Sequence, residues 1–353
     1  MISVSQYILH INRYLLRLQW SVLILILLMH FSASWLLLAL VNERALADPQ
    51  LFYYFYVVTA STVGYGDLSP ETGAGRFVVS FFVIPGGITL FAALIGKITT
   101  VLINIWRQSM KGQLDLSNQL HDHMVIMGWH KEATSRMIDL IFGDLKRTPR
   151  DVVLVATQTM DNPDPQRIHF IRTDNLASAD ACHRAAVTKA ERIIINGQND
   201  DNTLTTALNL VATQTKAHIV CHFHNRSMAL LLQAHAPRAE CHISTTTEML
   251  VRSAQDPGSS RIQGQLLDTL TGPTQFSLQV PKEFSGCLFS TLINQFKNYH
   301  DALALGVAGS IHGDDLLLNP PADYEVKSEQ LIYYMATQRL LAVEIDWQRL
   351  QAG

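Results

Sequence analysis

Cysteine is scarce in this chain of 353 residues, with four in all: Cys182, Cys221, Cys241 and Cys287. None forms a CxxC pair, which argues against a disulfide framework and for reduced thiols in a cytosolic setting. Charge is scarce as well. Asp, Glu, Lys and Arg make up 16% of the residues and the formal net charge is −3, so the chain lacks the basic surplus a nucleic-acid partner needs. No internal repeat and no low-complexity segment is evident. What is abundant is apolar surface, at 48% of residues, and its long uninterrupted runs are confined to the first third. The length suits two or three units of ordinary domain size.

Residues 20–41 form the first such run, broken only by Ser21, His30, Ser32 and Ser34. It covers the ~20 residues a bilayer demands, whereas a cleavable leader has a shorter apolar core followed by small residues. Residues 51–61 are apolar but too short to span, and suit a re-entrant helix surrounded by protein. The C-terminal end of such a helix favours a cation. Residues 77–105 form the second span. At ~1.5 Å per residue they reach ~43 Å against a ~30 Å hydrocarbon core, so their end protrudes. Lys97 then sits near the inner interface, where its stem snorkels. His30 reads as a hydrogen-bonded contact between helices. Arg13 and Arg17 precede the first span, and Arg107 and Lys111 follow the second. That distribution places both termini in the cytoplasm and the loop at residues 43–48 outside.

Between the spans stands Thr62-Val63-Gly64-Tyr65-Gly66-Asp67. This string resembles the selectivity filter of potassium channels. There, four subunits each present a row of backbone carbonyls that replaces the water shell of K⁺. Consecutive carbonyls face one axis only if alternate residues take unusual backbone angles, which glycine reaches without a Cβ clash. Gly64 and Gly66 supply that freedom. The resemblance implies that Thr62 is the innermost ligand, that Val63 and Tyr65 brace the ring, and that the chain is a homotetramer. It also implies a gating hinge at Gly86, about twenty residues past the filter; a plain packing glycine is the alternative.

From His121 onward, short β-rich runs alternate with helical stretches, the pattern of a parallel sheet with crossover helices. Strands are predicted at 124–127, 152–156, 168–171, 192–195, 219–223 and 242–244. Helices are predicted at 131–142, 175–186, 200–213 and 226–235, with Gly143 as a C-terminal cap. Two further helices, 246–255 and 259–270, are split by Asp256-Pro257-Gly258. The order, the helix-turn-helix crossover and the tail "NPPADY" resemble the regulator-of-potassium-conductance (RCK, TrkA-N/TrkA-C-like) domain, the same family as the nucleotide-binding subunits of bacterial potassium uptake systems.

The expected architecture is therefore an α-helical two-span tetrameric pore domain plus a cytoplasmic α/β Rossmann-like RCK domain with a small α+β C-terminal lobe. Its expected parts are a cytoplasmic segment 1–18, and a pore domain 19–106 with outer helix 20–41, pore helix 51–61, filter 62–66 and inner helix 77–105. A linker 107–120, a Rossmann-like lobe 121–245, crossover helices 246–272 and a C-terminal lobe 273–342 follow. The resemblance implies pairing of lobes through the crossover helices, in some family members as a ring of eight. Four chains bring only four lobes, and Met110 is a place where a free lobe could begin.

A dinucleotide site needs G-x-G-x-x-G after the first strand and an acid at the end of the second. Here the turn reads Gly128-Trp129-His130-Lys131-Glu132-Ala133, and the second strand ends in Ala156-Thr157-Gln158. Both halves are degraded. Asp174, matching an acid the family places after the third strand, keeps an adenine nucleotide open. The second candidate is a metal. His222 and His224 lie two apart on one strand and so share a face. The family's calcium-gated member has acids at those positions, working with an aspartate that Asp200 matches here. Imidazoles suit Zn²⁺ or another transition ion better than Ca²⁺, and clustered histidines also titrate near neutrality. Cys221, Cys241 and His242 lie within plausible reach. The regulatory ligand thus stays open between a divalent or transition metal, an adenine nucleotide and protons.

The reading is a potassium-selective channel of the cell (inner) membrane, gated by ligand binding to a cytoplasmic ring, and not an enzyme. The alternative is a membrane-anchored nucleotide-binding sensor or oxidoreductase with a non-conducting pore-like segment.

Overall fold

An apolar run without proline or glycine has nothing to stop it short of a full span, and Trp20–Leu40 is one unbroken helix (α1). The computed structural model describes residues 19–310, 313 and 315–352. The segment 1–18, with Arg13 and Arg17, lies outside the described residues. The chain parts between Gln108 and Ser109 into two compact units.

In the first unit, a short helix Arg44–Ala47 (α2) leads to Pro49–Ala60 (α3). The start of α3 is set by its cap. The Asp48 carboxylate accepts the N–H groups of Gln50 (2.9 Å) and Leu51 (3.2 Å), and Pro49 stands where no N–H is needed. The helix therefore opens at Pro49, ahead of its first apolar residue. The last helical stretch runs from Gly73 to Met110, 38 residues. Thr72 caps it through Gly75 N–H at 2.9 Å, and Gly112, at φ +65°, turns the chain after it. It comprises Gly73–Val78 (α4), a π-turn Val79–Val83, and Ile84–Met110 (α5). Pro85 explains the π-turn: its ring crowds the carbonyl one turn earlier and removes a donor, so the ladder reopens at wider pitch. The core of this unit joins the three long helices through Leu38, Phe52, Phe55, Tyr56, Ala60, Val79 and Val83. Lys97 Nζ lies 5.5 Å from the centroid of the Trp20 ring, an interfacial cation–π contact.

The second unit opens with a six-stranded parallel sheet: β1 Met124–Met127, β2 Val152–Ala156, β3 His169–Arg172, β4 Arg192–Ile195, β5 His218–Phe223 and β6 Glu240–Ile243, in the order β3-β2-β1-β4-β5-β6. This is the doubly wound order with its topological switch between β1 and β4. Period-two alternation splits the sheet's side chains into two cores. Val125, Met127, Val153, Val155, Ile193 and Ile195 lie in one, and Ile126, Val152, Leu154 and Phe170 in the other. The helices of this lobe are α6 Lys131–Gly143, α7 Ala179–Arg184, α8 Asp200–Ala212 and α9 Arg226–His235, followed by α10 Thr246–Gln255 and α11 Ser259–Leu267.

Two local expectations are corrected. Gly143 is the last residue of α6 and not a left-handed cap; a Cβ there would overlap the Leu270 side chain, so its role is close packing. The helix predicted from residue 175 begins at Ala179, because Asn175 folds back on Ala177 N–H (2.9 Å) and the Ser178 hydroxyl caps Ala181 N–H (3.1 Å).

The C-terminal lobe is a second sheet, order β10-β9-β12-β7, covered by helix Phe289–His300 (α12). Its strands are β7 Thr274–Gln279, β9 Leu303–Ala308, β10 Leu317–Leu318 and β12 Leu331–Ala336, with a separate pair β8 Cys287–Leu288 and β11 Glu325–Val326. Past residue 342 the chain continues into this lobe's core. Ile345 and Leu350 are buried, and Trp347 packs edge-on to Phe284 at 5.2 Å. The buried Tyr334 hydroxyl accepts Leu340 N–H at 2.7 Å and fixes the entry to this tail.

Candidate functional site

The pore turn is built by the end of α3. Thr62 N–H donates to Thr59 O (3.1 Å), and the Val58 carbonyl accepts both Val63 N–H (3.0 Å) and Gly64 N–H (3.2 Å). Beyond that anchor the backbone alternates. Thr62, Gly64 and Gly66 have φ of +64°, +58° and +78°. Left-handed residues at every second position turn successive carbonyls toward one side of the strand. The glycines adopt this without cost, whereas a β-branched residue such as Thr62 is strained by about 1–2 kcal/mol. Sequence reasoning assigned the freedom to Gly64 and Gly66 and missed Thr62, since nothing in a threonine announces it.

Two supports of the turn also went unseen in the sequence. Tyr54 Oη donates to Asp67 Oδ2 at 2.9 Å, tying the residue after Gly66 back to α3. Glu43 is buried at 2% exposure and accepts Glu71 N–H (3.0 Å), Thr72 N–H (2.7 Å) and Thr72 Oγ1–H (2.6 Å). Burial works to raise its carboxyl, but these hydrogen bonds outweigh it and hold the group below the usual range.

Gly86 lies within α5, and a Cβ there would overlap the imidazole of His30 on α1. Gly87 takes the corresponding place against Ala60 of α3.

At the sheet's carboxyl edge, Gly128 follows β1 with φ +115°, and a Cβ would overlap the Asn196 carbonyl after β4. This glycine serves the close approach of two protein strands. His130 then bridges the switch-point crevice: its Nε2–H donates to Gly197 O at 2.9 Å, and its backbone N–H to Thr134 Oγ1 at 2.9 Å. Asp174 stands elsewhere, largely exposed and paired with Arg172 at 2.8 Å. It shares an open cleft with Gly112, Asn175 and Arg184 whose lining does not include the Gly128 turn.

Asp200, His222 and His224 do meet at one edge. Asp200 Oδ1 accepts His224 N–H at 3.0 Å and lies 3.2 Å from His224 Nδ1, while Oδ2 accepts Asn225 N–H at 2.7 Å. The His222 ring is 4.8 Å from that of His224 and 6.0 Å from that of His242. Burial works to raise the Asp200 carboxyl, yet the backbone donors and His224 hold it below its ordinary value. Burial, then the neighbouring imidazoles of His224 and His242, push His222 down. Cys221 points to the opposite face and is fully buried, its thiol pushed up by burial to about 12; its register partner Cys241 packs against the same core, so neither belongs to the histidine edge. Among the described residues, no three His, Cys, Asp or Glu side chains stand together in a way that could hold a metal ion.

The segment after α5 is strapped to the sheet. Met110 O accepts Asn162 N–H (2.8 Å), and Gly112 O accepts Arg172 N–H (2.9 Å). The Arg184 guanidinium donates to Gly112 O, Leu114 O (3.2 Å) and Arg172 O (3.1 Å), while Arg184 O accepts Leu116 N–H (3.0 Å).

Residues 22–104 match the family described as "Ion channel". Over 296 residues, 77% of this chain, the protein is 23% identical to the putative potassium channel protein YugO of Bacillus subtilis, covering 82% of that protein. Over 151 residues it is 29% identical to the calcium-gated potassium channel TvoK of Thermoplasma volcanium, 43% of this chain and 41% of that one. A solved structure, the GsuK channel bound to NAD, aligns over 90% of this chain and 56% of its own at 17% identity, with a TM-score of 0.42. By class, the membrane third belongs to the ion-channel family and the chain is a membrane protein. Two of the relatives within that class are named as potassium channels, from Bacillus subtilis and Thermoplasma volcanium.

Proposed function

We propose that this protein is a potassium-selective channel whose conduction is gated by a ligand at its Rossmann-like domain. The observation that carries the reading is the alternation of left-handed backbone at Thr62, Gly64 and Gly66, directly after a membrane-embedded helix in an ion-channel pore. Thr62, Val63, Gly64, Tyr65 and Gly66 supply the K⁺ ligands of one subunit, and four chains complete the ring. The outward-facing Val63 and Tyr65 side chains, exposed in one subunit, pack in that tetramer. Both termini face the cytoplasm of a cell whose inner membrane holds the pore. The chain conducts and does not catalyse. Exposed Leu250, Val251, Ile262 and Leu267 on α10 and α11 suit lobe-to-lobe pairing, and a ring of eight lobes follows if free lobes join.

Bending of the inner helix is placed between the π-turn and Gly86, where the ladder is already irregular. The regulatory ligand is read as a proton at Asp200, His222 and His224, since the trio does not stand together as a metal site. Support comes from imidazoles brought within 5 Å of each other beside a carboxylate, and from His130 occupying the crevice where a pyrophosphate would lie. An adenine nucleotide in the open cleft that Asp174 shares with Arg172 and Arg184, apart from the Gly128 turn, is the second reading; it rests on the exposed Asp174 carboxylate beside Arg172. Either ligand opens the pore only through its differential affinity for two arrangements of the ring, multiplied over coupled sites.

The test is K⁺ flux into liposomes holding the purified protein at pH 6 against pH 8. Wild type responds to acid, and His222→Ala/His224→Ala loses that response. A double variant that responds like wild type moves the site elsewhere.

A further inference from the structure

We propose that His30 is a positioning residue of the conduction pathway. Its single imidazole ties the π-turn of the inner helix to the helix that carries the filter. The inference rests on the channel reading above and adds a coupling element inside the membrane.

Three helices converge on this ring. His30, on α1, has Nδ1 2.8 Å from Tyr56 Oη on α3 and Nε2 3.2 Å from Phe82 O inside the π-turn. A carbonyl can only accept, so Nε2 carries the proton. Nδ1 is then the acceptor and Tyr56 donates its O–H. One tautomer satisfies both partners. The ring also stacks on Phe82 at 4.7 Å with planes 23° apart. Gly86, one turn past Phe82, leaves the space the ring occupies.

Each contact sits where displacement matters. The π-turn is the irregular stretch of the inner helix, and such turns take up helix movement. Tyr56 is 5% exposed, wedged against Phe31 at 5.1 Å and Phe52 at 5.8 Å. Two residues further along α3, Val58 O holds the N–H groups of Val63 and Gly64. A shift of the π-turn is thus passed through His30 and Tyr56 to the anchor of the filter, in three links of a few ångströms each. Gly86 acquires a role distinct from bending: it is the seat of the His30 ring.

The experiment measures K⁺ flux and K⁺/Na⁺ selectivity of full-length protein in liposomes, with oligomeric state checked on the same samples. The variants are His30→Ala, Tyr56→Phe, His30→Gln, Gly86→Ala, and the doubles His30→Ala/Tyr56→Phe and His30→Ala/Gly86→Ala. His30→Ala and Tyr56→Phe each lower flux by about three- to tenfold, the scale of one hydrogen bond. Their double is no worse than either single, and His30→Gln, which keeps a donor and an acceptor, restores most of the flux. Gly86→Ala lowers flux by expelling the ring, and adding His30→Ala makes it no worse. Should His30→Ala fail to assemble, Tyr56→Phe against wild type decides, since it keeps every ring in place. Wild-type flux in Tyr56→Phe, additive doubles, or a Gly86→Ala defect that compounds that of His30→Ala overturns the proposal. A wild-type protein that passes no K⁺ overturns the channel reading instead.

Discussion

Among the turns where glycine takes positive φ, the one at Gly64 and Gly66 and the one at Gly128 differ in what surrounds them. At Gly64 and Gly66 an added Cβ meets nothing within 4 Å of its own chain; at Gly128 it meets the Asn196 carbonyl. The first pair is glycine for the sake of backbone angle, the second for the sake of room. A turn that needs angles repeats them, and φ alternates through Thr62, Gly64 and Gly66. A turn that needs room closes on a neighbour, and β1 closes on β4 with His130 filling what remains. The filter-like turn presents backbone outward to partners, while the strand-end turn spends its glycine on the protein itself.

Substitution separates the two most strongly at the filter. Gly66→Ala or Gly64→Ala forces a Cβ into left-handed backbone at about 1–2 kcal/mol per subunit, repeated around the ring. The expected result is loss of K⁺ selectivity with the Rossmann-like lobe still folded, read from K⁺ and Na⁺ flux beside circular dichroism. Gly128→Ala does the reverse. It drives atoms into the Asn196 backbone and destabilises the lobe by about 2–4 kcal/mol, measured as a lowered Tm of the full-length protein in detergent. Equal effects of both on the lobe's Tm would erase the distinction.

A smaller effect tests the strap that follows α5. Arg184→Ala removes charged donors to three carbonyls, and amide exchange at Gly112–Leu116 should quicken by the equivalent of about 2 kcal/mol. Unchanged exchange there would mean that the guanidinium holds nothing.

Smallest is the response to pH. Burial pushes both His123 and His222 down in the folded lobe. A histidine with lowered folded pKa binds fewer protons than the unfolded chain, so stability is full above the unfolded value near 6.5 and falls as pH drops through it. Asp200 acts lower on the scale, its contribution present above the unfolded carboxylate value and lost on further acidification. Thermal melts between pH 8 and 5 should show the lobe weakening below about 6.5, less steeply in His222→Asn. A lobe that gains stability on acidification contradicts these assignments.

The membrane helices were readable because length and unbroken apolarity are properties of composition, and the six strands because β-branched runs between helical stretches leave few alternatives. Arg226–His235 and Thr246–Gln255 coincide with the sequence-based expectation to the residue. What could not be read depends on contacts distant in sequence. The burial of Glu43 under Thr72, the Tyr54–Asp67 bond and the partners of His30, itself expected as an interhelical contact, join residues 13 to 52 positions apart. The ligand edge was legible as a period-two histidine pair beside Asp200. The sequence did not reveal that His130 fills the neighbouring crevice, because a residue's rotamer is decided by the strand beside it.

The central claim is that Thr62 to Gly66 strip and re-coordinate K⁺. Reversal potentials of single channels, recorded with K⁺ on one side and Na⁺ on the other, test it most directly. The account predicts a potential set by K⁺ and abolished by Gly66→Ala; a reversal near zero, or no current in any condition, contradicts it.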